Sequence, residues 1–271
     1  DSLEAKGARV IREPWTQSDL SSIGIKRDIT LPEGIDYVHR HADDADIYFM
    51  SNQTDNTISF VPEFRAVRAN KYIADPMTGK VYNAQNELTL TAGASLFVVL
   101  TDQKIDAEDM PDMSKYDTAI SLDGNKWTVK FEKTGKQVTT KKLFDWSKAD
   151  DQSVKFYSGH ATYETTFKYK GKPEGRVFID LGEVADIATV YVNGKMCGTA
   201  WMPPYNVDIT PAVKKGKNEL KIVVVNTWAN ALQGNDQGTP PFEGIWTNGK
   251  YRRASKELLP AGLLGPVVIK N

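Results

Sequence analysis

The chain has 271 residues, 40% hydrophobic and 25% charged, with a net charge of −1. That balance fits a globular protein long enough for two domains. Its Lys and Arg are scattered rather than clustered, which argues against nucleic acid or an anionic membrane as the main partner. No apolar run approaches the roughly 20 residues that a membrane helix needs.

The one cysteine, Cys197, excludes an internal disulfide. Between Met196 and Gly198, with no base nearby in the sequence, it reads as a small buried hydrophobe rather than a nucleophile. The sequence starts at Asp1 without an initiator Met or a signal peptide, as expected of a mature form or a piece of a longer chain.

Residues 1–30 read as a short α/β remnant of a larger domain. LEAKGARVI gives a helix end, a stop at Gly7 and a short strand, and DLSSIGI gives a second short helix capped by Asp19 or a nearby Ser. From 31 to 102 the chain alternates like strands: YVHRH, DADIYFMSNQ, ISFVPEFRA, NKYIADP, GKVYNA, NELTLT and ASLFVVLTD. The separators are DNT, DPMTGK and AGA; in the second, Pro76 presets φ and Gly79 permits a positive one. Short strands at this spacing predict a β-sandwich.

Residues 103–116 are polar and acidic with a proline, and are expected to be a linker. A second sandwich is expected over 117–271. ISLDGNKWTVKFE predicts a hairpin around Asp123–Gly124, and LFDWSKADD a short helical or irregular crossing. Then SVKFYSGHATYETTFKY, GRVFIDLGEV, ATVYVNGKMCGTAW, YNVDIT, NELKIVVVNTW and GPVVIKN read as strands, with Asn193–Gly194 suited to a type I′ turn. The fold class is therefore mainly β: two β-sandwiches preceded by a short α/β remnant.

Four pieces of the second sandwich carry a family resemblance: FIDLGEVADIATVYVNGKMCGTAW, PPYNVDIT, VKKGKNELKIVVVNTWANAL and GLLGPVVIKN. Together they resemble the galactose-binding-like jelly roll of many glycoside hydrolases, including the sugar-binding domain of family 2. In the first sandwich, DYVHRHADDADIYFMSNQTDNTISFVPEFRA resembles a segment of family 106, the α-L-rhamnosidases. The resemblance implies the C-terminal region of such an enzyme, with a catalytic barrel in the same or a parent chain. A glycan or oligosaccharide is the implied partner, and a periplasmic or extracellular location is expected.

No catalytic residue can be assigned. Glycoside hydrolysis needs two carboxyls flanking one bond, and no β/α alternation sets such a pair at the strand ends of a barrel. Glu183, Asp186, Glu243 and Glu257 read as surface or turn residues. His39 and His41 share one face of a strand, with Asp43, Asp44 and Asp46 nearby, which suits either a metal or a hydrogen-bonded His pair at a strand end. His160 reads as a strand position.

The binding candidates are aromatic and amide side chains, since sugar C–H faces stack on rings and sugar hydroxyls hydrogen-bond to amides and guanidinium groups. They are Trp201, Tyr205, Asn206, Trp228, Asn230, Trp246 and Arg252, supported by Phe242, Asn235 and Asp236. Most lie in or beside a connection from Trp228 to Trp246 that reads as a long loop. The bland alternative is that Trp201 and Trp228 plug the sandwich or pack on a neighbouring domain. Calcium often accompanies modules of this kind, yet Asn235, Asp236 and Asp123 do not form a ligand pattern, so no cofactor or metal is expected.

The leading expectation is a non-catalytic part of a glycoside hydrolase. The alternatives are a stand-alone carbohydrate-binding protein and a small complete glycosidase with its site between the sandwiches.

Overall fold

The computed structural model describes residues 4–7, 20, 24–173, 175–248 and 257–271. Most of the expected α/β remnant, including the helix proposed at Asp19, lies outside the described residues, as does Arg252. The chain divides into two compact units, residues 1–110 and 111–271.

Among its described residues the first unit contains ten strands: β1 (Ile29–Thr30), β2 (Ile35–His41), β3 (Ala45–Asn52), β4 (Ile58–Phe60), β5 (Glu63–Phe64), β6 (Asn70–Ala74), β7 (Val81–Asn83), β8 (Leu88–Leu90), β9 (Ser95–Thr101) and β10 (Glu108–Asp109). Six form one sheet in the order β10-β7-β6-β9-β3-β2, and β1–β5 and β4–β8 form two ribbons. Alternation decides which face is buried. Along β3, Asp46, Tyr48, Met50 and Asn52 are buried while Ala45, Ile47, Phe49 and Ser51 are half-buried. Tyr48 lies opposite Val98 and Met50 opposite Leu96, and the ribbons add Ile29, Phe60, Leu88 and Leu90 to the same core. The turn at 75–79 closes as its residues require. The Asp75 carboxylate accepts the Met77 N–H at 2.8 Å and the Thr78 hydroxyl at 2.7 Å, and Gly79 takes φ +70°. Within the expected linker, β10 pairs in parallel with β7.

The second unit contains β11 (Thr118–Ser121), β12 (Trp127–Phe131), β13 (Gln137–Thr140), β14 (His160–Tyr169), β15 (Phe178–Asp180), β16 (Glu183–Ala185), β17 (Ile187–Val192), β18 (Lys195–Ala200), β19 (Asn206–Asp208), β20 (Gly216–Val225), β21 (Gly262–Gly265) and β22 (Val268–Lys270), with short helices α1 (Gln152–Lys155) and α2 (Ala229–Asp236). A six-stranded sheet runs β13-β12-β14-β20-β17-β18, a four-stranded sheet runs β11-β22-β15-β19, and β16 pairs with β21. The fold is mainly β and sandwich-like, as the alternation predicts. The β17–β18 hairpin turns at Asn193 (φ +52°) and Gly194 (φ +80°), the positive values that a type I′ turn demands.

Two sequence expectations fail here. Asp123–Gly124 does not join a hairpin, because β11 pairs with the terminal β22 while β12 pairs with β13 and β14. The turn carries the chain from one sheet to the other. The connection after Trp228 is not simply a loop, since α2 forms within it. Its sequence, ANALQGND, has little helical patterning. Its helix is held by packing: Gly234 lies so close to Phe156 that a Cβ would fall 2.7 Å from the ring.

The interior of this unit is ringed by Trp127, Phe131, Trp146, Tyr157 and Tyr163, all at most 1% exposed. Burying each ring contributes about 2–3 kcal/mol. The Trp146 indole N–H donates to the Tyr163 hydroxyl at 2.7 Å, which also accepts the Leu263 N–H at 3.1 Å. Gly262, at φ +109°, lets the backbone pass against the Trp146 ring. The crossing that contains Trp146 is a 3-10 turn followed by α1, capped by Asp145 and Asp151 respectively.

Candidate functional site

The site begins where β20 ends. Asn226 locks that end: its carbonyl accepts the Gly159 N–H and its amide donates to the Tyr157 carbonyl, both at 2.9 Å. The Thr227 N–H donates to Asp186 at 3.0 Å, and the Trp228 carbonyl accepts the Leu232 N–H at 3.0 Å as α2 starts. The Ala231 N–H in the first turn of α2 donates to the Ser158 hydroxyl at 3.1 Å. Trp228 is thus fixed by its backbone while its side chain stays 47% exposed.

Around it a small aromatic cluster assembles. Phe242 meets Trp228 edge to face at 6.1 Å and Tyr157 at 6.0 Å. Lys133, in the turn after β12, places its ammonium 4.2 Å from the Trp228 ring centre and 4.5 Å from that of Phe242. The Tyr157 hydroxyl accepts the Lys133 N–H at 3.1 Å and donates to the His160 carbonyl at 2.7 Å. Burial pushes its phenol pKa up, so the hydroxyl keeps the proton that the second bond uses. Lys133 is the member that sequence reasoning missed. Only Gly135, at φ +68° in the adjoining turn, marks its position, and nothing in the sequence connects that turn to Trp228.

Tyr205 stands apart from this cluster but shares a neighbour with it. Burial raises its phenol pKa, helped by the charges of Asp186 and Glu183. Asp186 is the same residue that accepts the Thr227 N–H. Asn206 is half-buried in β19, with its side-chain oxygen buried and without a hydrogen-bond partner among the described residues. Trp201 and Trp246 are 47% and 78% exposed, and neither stacks on another ring among the described residues.

Asn230 must be removed from the sugar-binding set. It is 2% exposed, and its amide is fully engaged with the Leu259 backbone: the NH₂ donates to the carbonyl at 2.8 Å and the oxygen accepts the N–H at 2.9 Å. It is a clamp between α2 and the segment leading to β21. The helix places it inward, a distinction that a loop reading could not make. Asn235 and Asp236 are exposed at the end of α2.

The first unit holds a separate polar cluster at the end of β2. Asp46, 5% exposed at its side chain, accepts His39 Nε2 at 3.0 Å and His41 Nδ1 at 2.8 Å on one oxygen, and Arg68 Nε at 2.8 Å on the other. Burial alone would raise its pKa, but the hydrogen bonds from His41, Arg68 and His39 outweigh that and hold it at about 2. His39 Nδ1 faces Asp28 at 2.8 Å, and its ring stacks on Tyr48 at 4.1 Å. Both His39 nitrogens therefore meet carboxylates. Of the two sequence readings, the geometry matches the hydrogen-bonded pair. Among the described residues, no group of three or more His, Cys, Asp or Glu is arranged to hold a metal.

Known proteins match both units. Residues 4–87 match the alpha-L-rhamnosidase family model, and residues 125–257 match the glycosyl hydrolase 2 galactose-binding domain-like model. The solved rhamnosidase from Novosphingobium sp. PP1Y superposes on 93% of this chain at 33% identity with a TM-score of 0.75. A curated protein of Formosa agariphila, named "Putative beta-glucuronidase", is 34% identical over 172 residues, 53% of this chain. The chain spans only 25% of the Novosphingobium chain and 15% of the Formosa protein. The first unit is thus similar to part of the alpha-L-rhamnosidase family model, and the second to the galactose-binding domain-like model of glycosyl hydrolase 2.

Proposed function

We propose that this chain is a non-catalytic part of a glycoside hydrolase, supporting a catalytic barrel elsewhere in the parent protein and holding glycan through the Trp228 surface. The carrying observation is the match to one quarter of a rhamnosidase over 93% of the present chain. The physical support is local. Trp228 is half-exposed on a backbone fixed by hydrogen bonds, so it offers a rigid apolar surface to a sugar ring at little entropic cost. Asp186, which accepts the Thr227 N–H, would add a polar contact beside it.

The test compares the isolated chain, the parent protein and the parent lacking this region on an aryl α-L-rhamnoside. The expected result is no turnover by the chain alone, turnover by the parent, and a raised KM or lost stability in the truncated parent. Turnover by the isolated chain that disappears when one carboxylate is replaced would overturn the reading. The Formosa match favours a second reading of the substrate, a β-glucuronide. Assaying the parent on aryl rhamnoside and aryl glucuronide side by side separates the two.

A further inference from the structure

We infer that the Trp228 cluster prefers acidic glycan, with the Lys133 ammonium taking a sugar carboxylate or sulfate ester while the sugar ring lies against Trp228. This rests on the reading of Trp228 as a glycan contact and adds the chemical class of the ligand.

The first reason is that Lys133 lacks a counter-ion. Lys136, Lys148 and Lys270 each pair with a carboxylate, on Asp151, Asp145 and Asp180 respectively. Lys133 pairs with none among the described residues; it sits over two ring faces instead. A ring quadrupole holds a cation without neutralising it, and an ammonium has three N–H donors to direct elsewhere. Glu132, the neighbour of Lys133 in sequence, accepts the Thr162 hydroxyl at 2.8 Å.

The second reason is preorganisation. A lysine on a free surface loses rotamer entropy when it grips an anion. Here the backbone N–H of Lys133 is tied to Tyr157, and its Cε and Cδ lie 3.5 and 3.6 Å from the Cβ position of Gly159. The side chain is laid along the cluster before any ligand arrives. Trp228 remains 47% exposed with Lys133 in place.

The competing explanation is that the lysine stem merely covers apolar rings, and it predicts no charge preference.

The test titrates the 271-residue chain at low ionic strength with methyl β-glucoside, methyl β-glucuronide and glucose 6-sulfate, following tryptophan indole N–H signals by NMR. An anionic sugar is expected to bind roughly fivefold more tightly than the glucoside, the size of one partly exposed charge pair. That margin shrinks with added salt. Lys133→Gln is expected to erase the preference, and Lys133→Arg to retain it. Preference for the glucuronide alone identifies a carboxylate ligand, and preference for the sulfate alone a sulfate ester. Equal binding of charged and neutral sugars, or a preference that survives Lys133→Gln, overturns the inference and leaves the glycan contact standing. No binding of any of the three overturns the glycan contact itself, and the inference with it.

Discussion

Asp46→Asn should destabilise the first unit, and the loss should depend on pH in a set direction. The wild-type carboxyl moves from 3.8 to about 2 on folding. Each tenfold change in proton affinity is about 1.4 kcal/mol, which makes about 2–3 kcal/mol in all. Solvent reaches the cluster through His41, whose side chain is 68% exposed, so screening trims the figure to about 1–2 kcal/mol. A depressed carboxyl contributes fully above its unfolded pKa and stops contributing as pH falls through its folded one. The wild type should therefore exceed the variant by about 1–2 kcal/mol from pH 7 down to about 4. The two should converge as pH falls through about 2, below which the carboxyl is protonated in both states. Urea unfolding at several pH values would measure this. Hydrogen-exchange mass spectrometry on peptides from β3 and β9 would report the first unit, with peptides from β14 and β20 as an internal control. A gap that stays constant down to pH 2.5, or one below about 0.5 kcal/mol at pH 7, would refute the claim that Asp46 is held ionised by its three donors.

Four further substitutions test the second unit. Gly262→Ala puts a Cβ 2.5 Å from the Trp146 indole nitrogen at φ +109°, and should cost about 3 kcal/mol, seen as a large drop in Tm. Tyr163→Phe leaves the Trp146 and Leu263 N–H groups without their acceptor in a dry interior, and should cost about 2–4 kcal/mol by urea denaturation. Asn230→Ala should cost about 1–3 kcal/mol and raise hydrogen exchange at Leu259. Trp246→Ala, at a side chain 78% exposed, should shift Tm little, so any loss of sugar binding it causes would be read directly.

Much of the fold was legible because its signals are local. Period-two alternation located β3, β9, β14 and β20, and the turns at Asp75–Gly79 and Asn193–Gly194 form with the positive φ values their glycines permit. What failed was long-range. A sequence around Asp123–Gly124 states that the chain turns, but not that β11 will leave β12 and pair with a strand at the far end of the unit. Helix α2 forms against its own weak pattern because Gly234 fits beneath Phe156, a contact made across the fold. The candidate site divides the same way. Exposed Trp228 and Trp246 could be picked out by residue type, while the inward turn of Asn230 and the arrival of Lys133 depend on tertiary placement.

The pairing of β11 with β22 has a consequence for biosynthesis. Thr118 lies opposite Lys270, so the first and last strands of the second unit are neighbours, and β22 lies between β11 and β15 within its sheet. During translation, that sheet cannot close until its last strand has left the ribosome, because the middle position stays vacant. The first unit can complete its own pairing well before then. The same closure means that the polypeptide enters and leaves the second unit side by side. Such a body can be spliced into a different host chain at a single point without disturbing its interior.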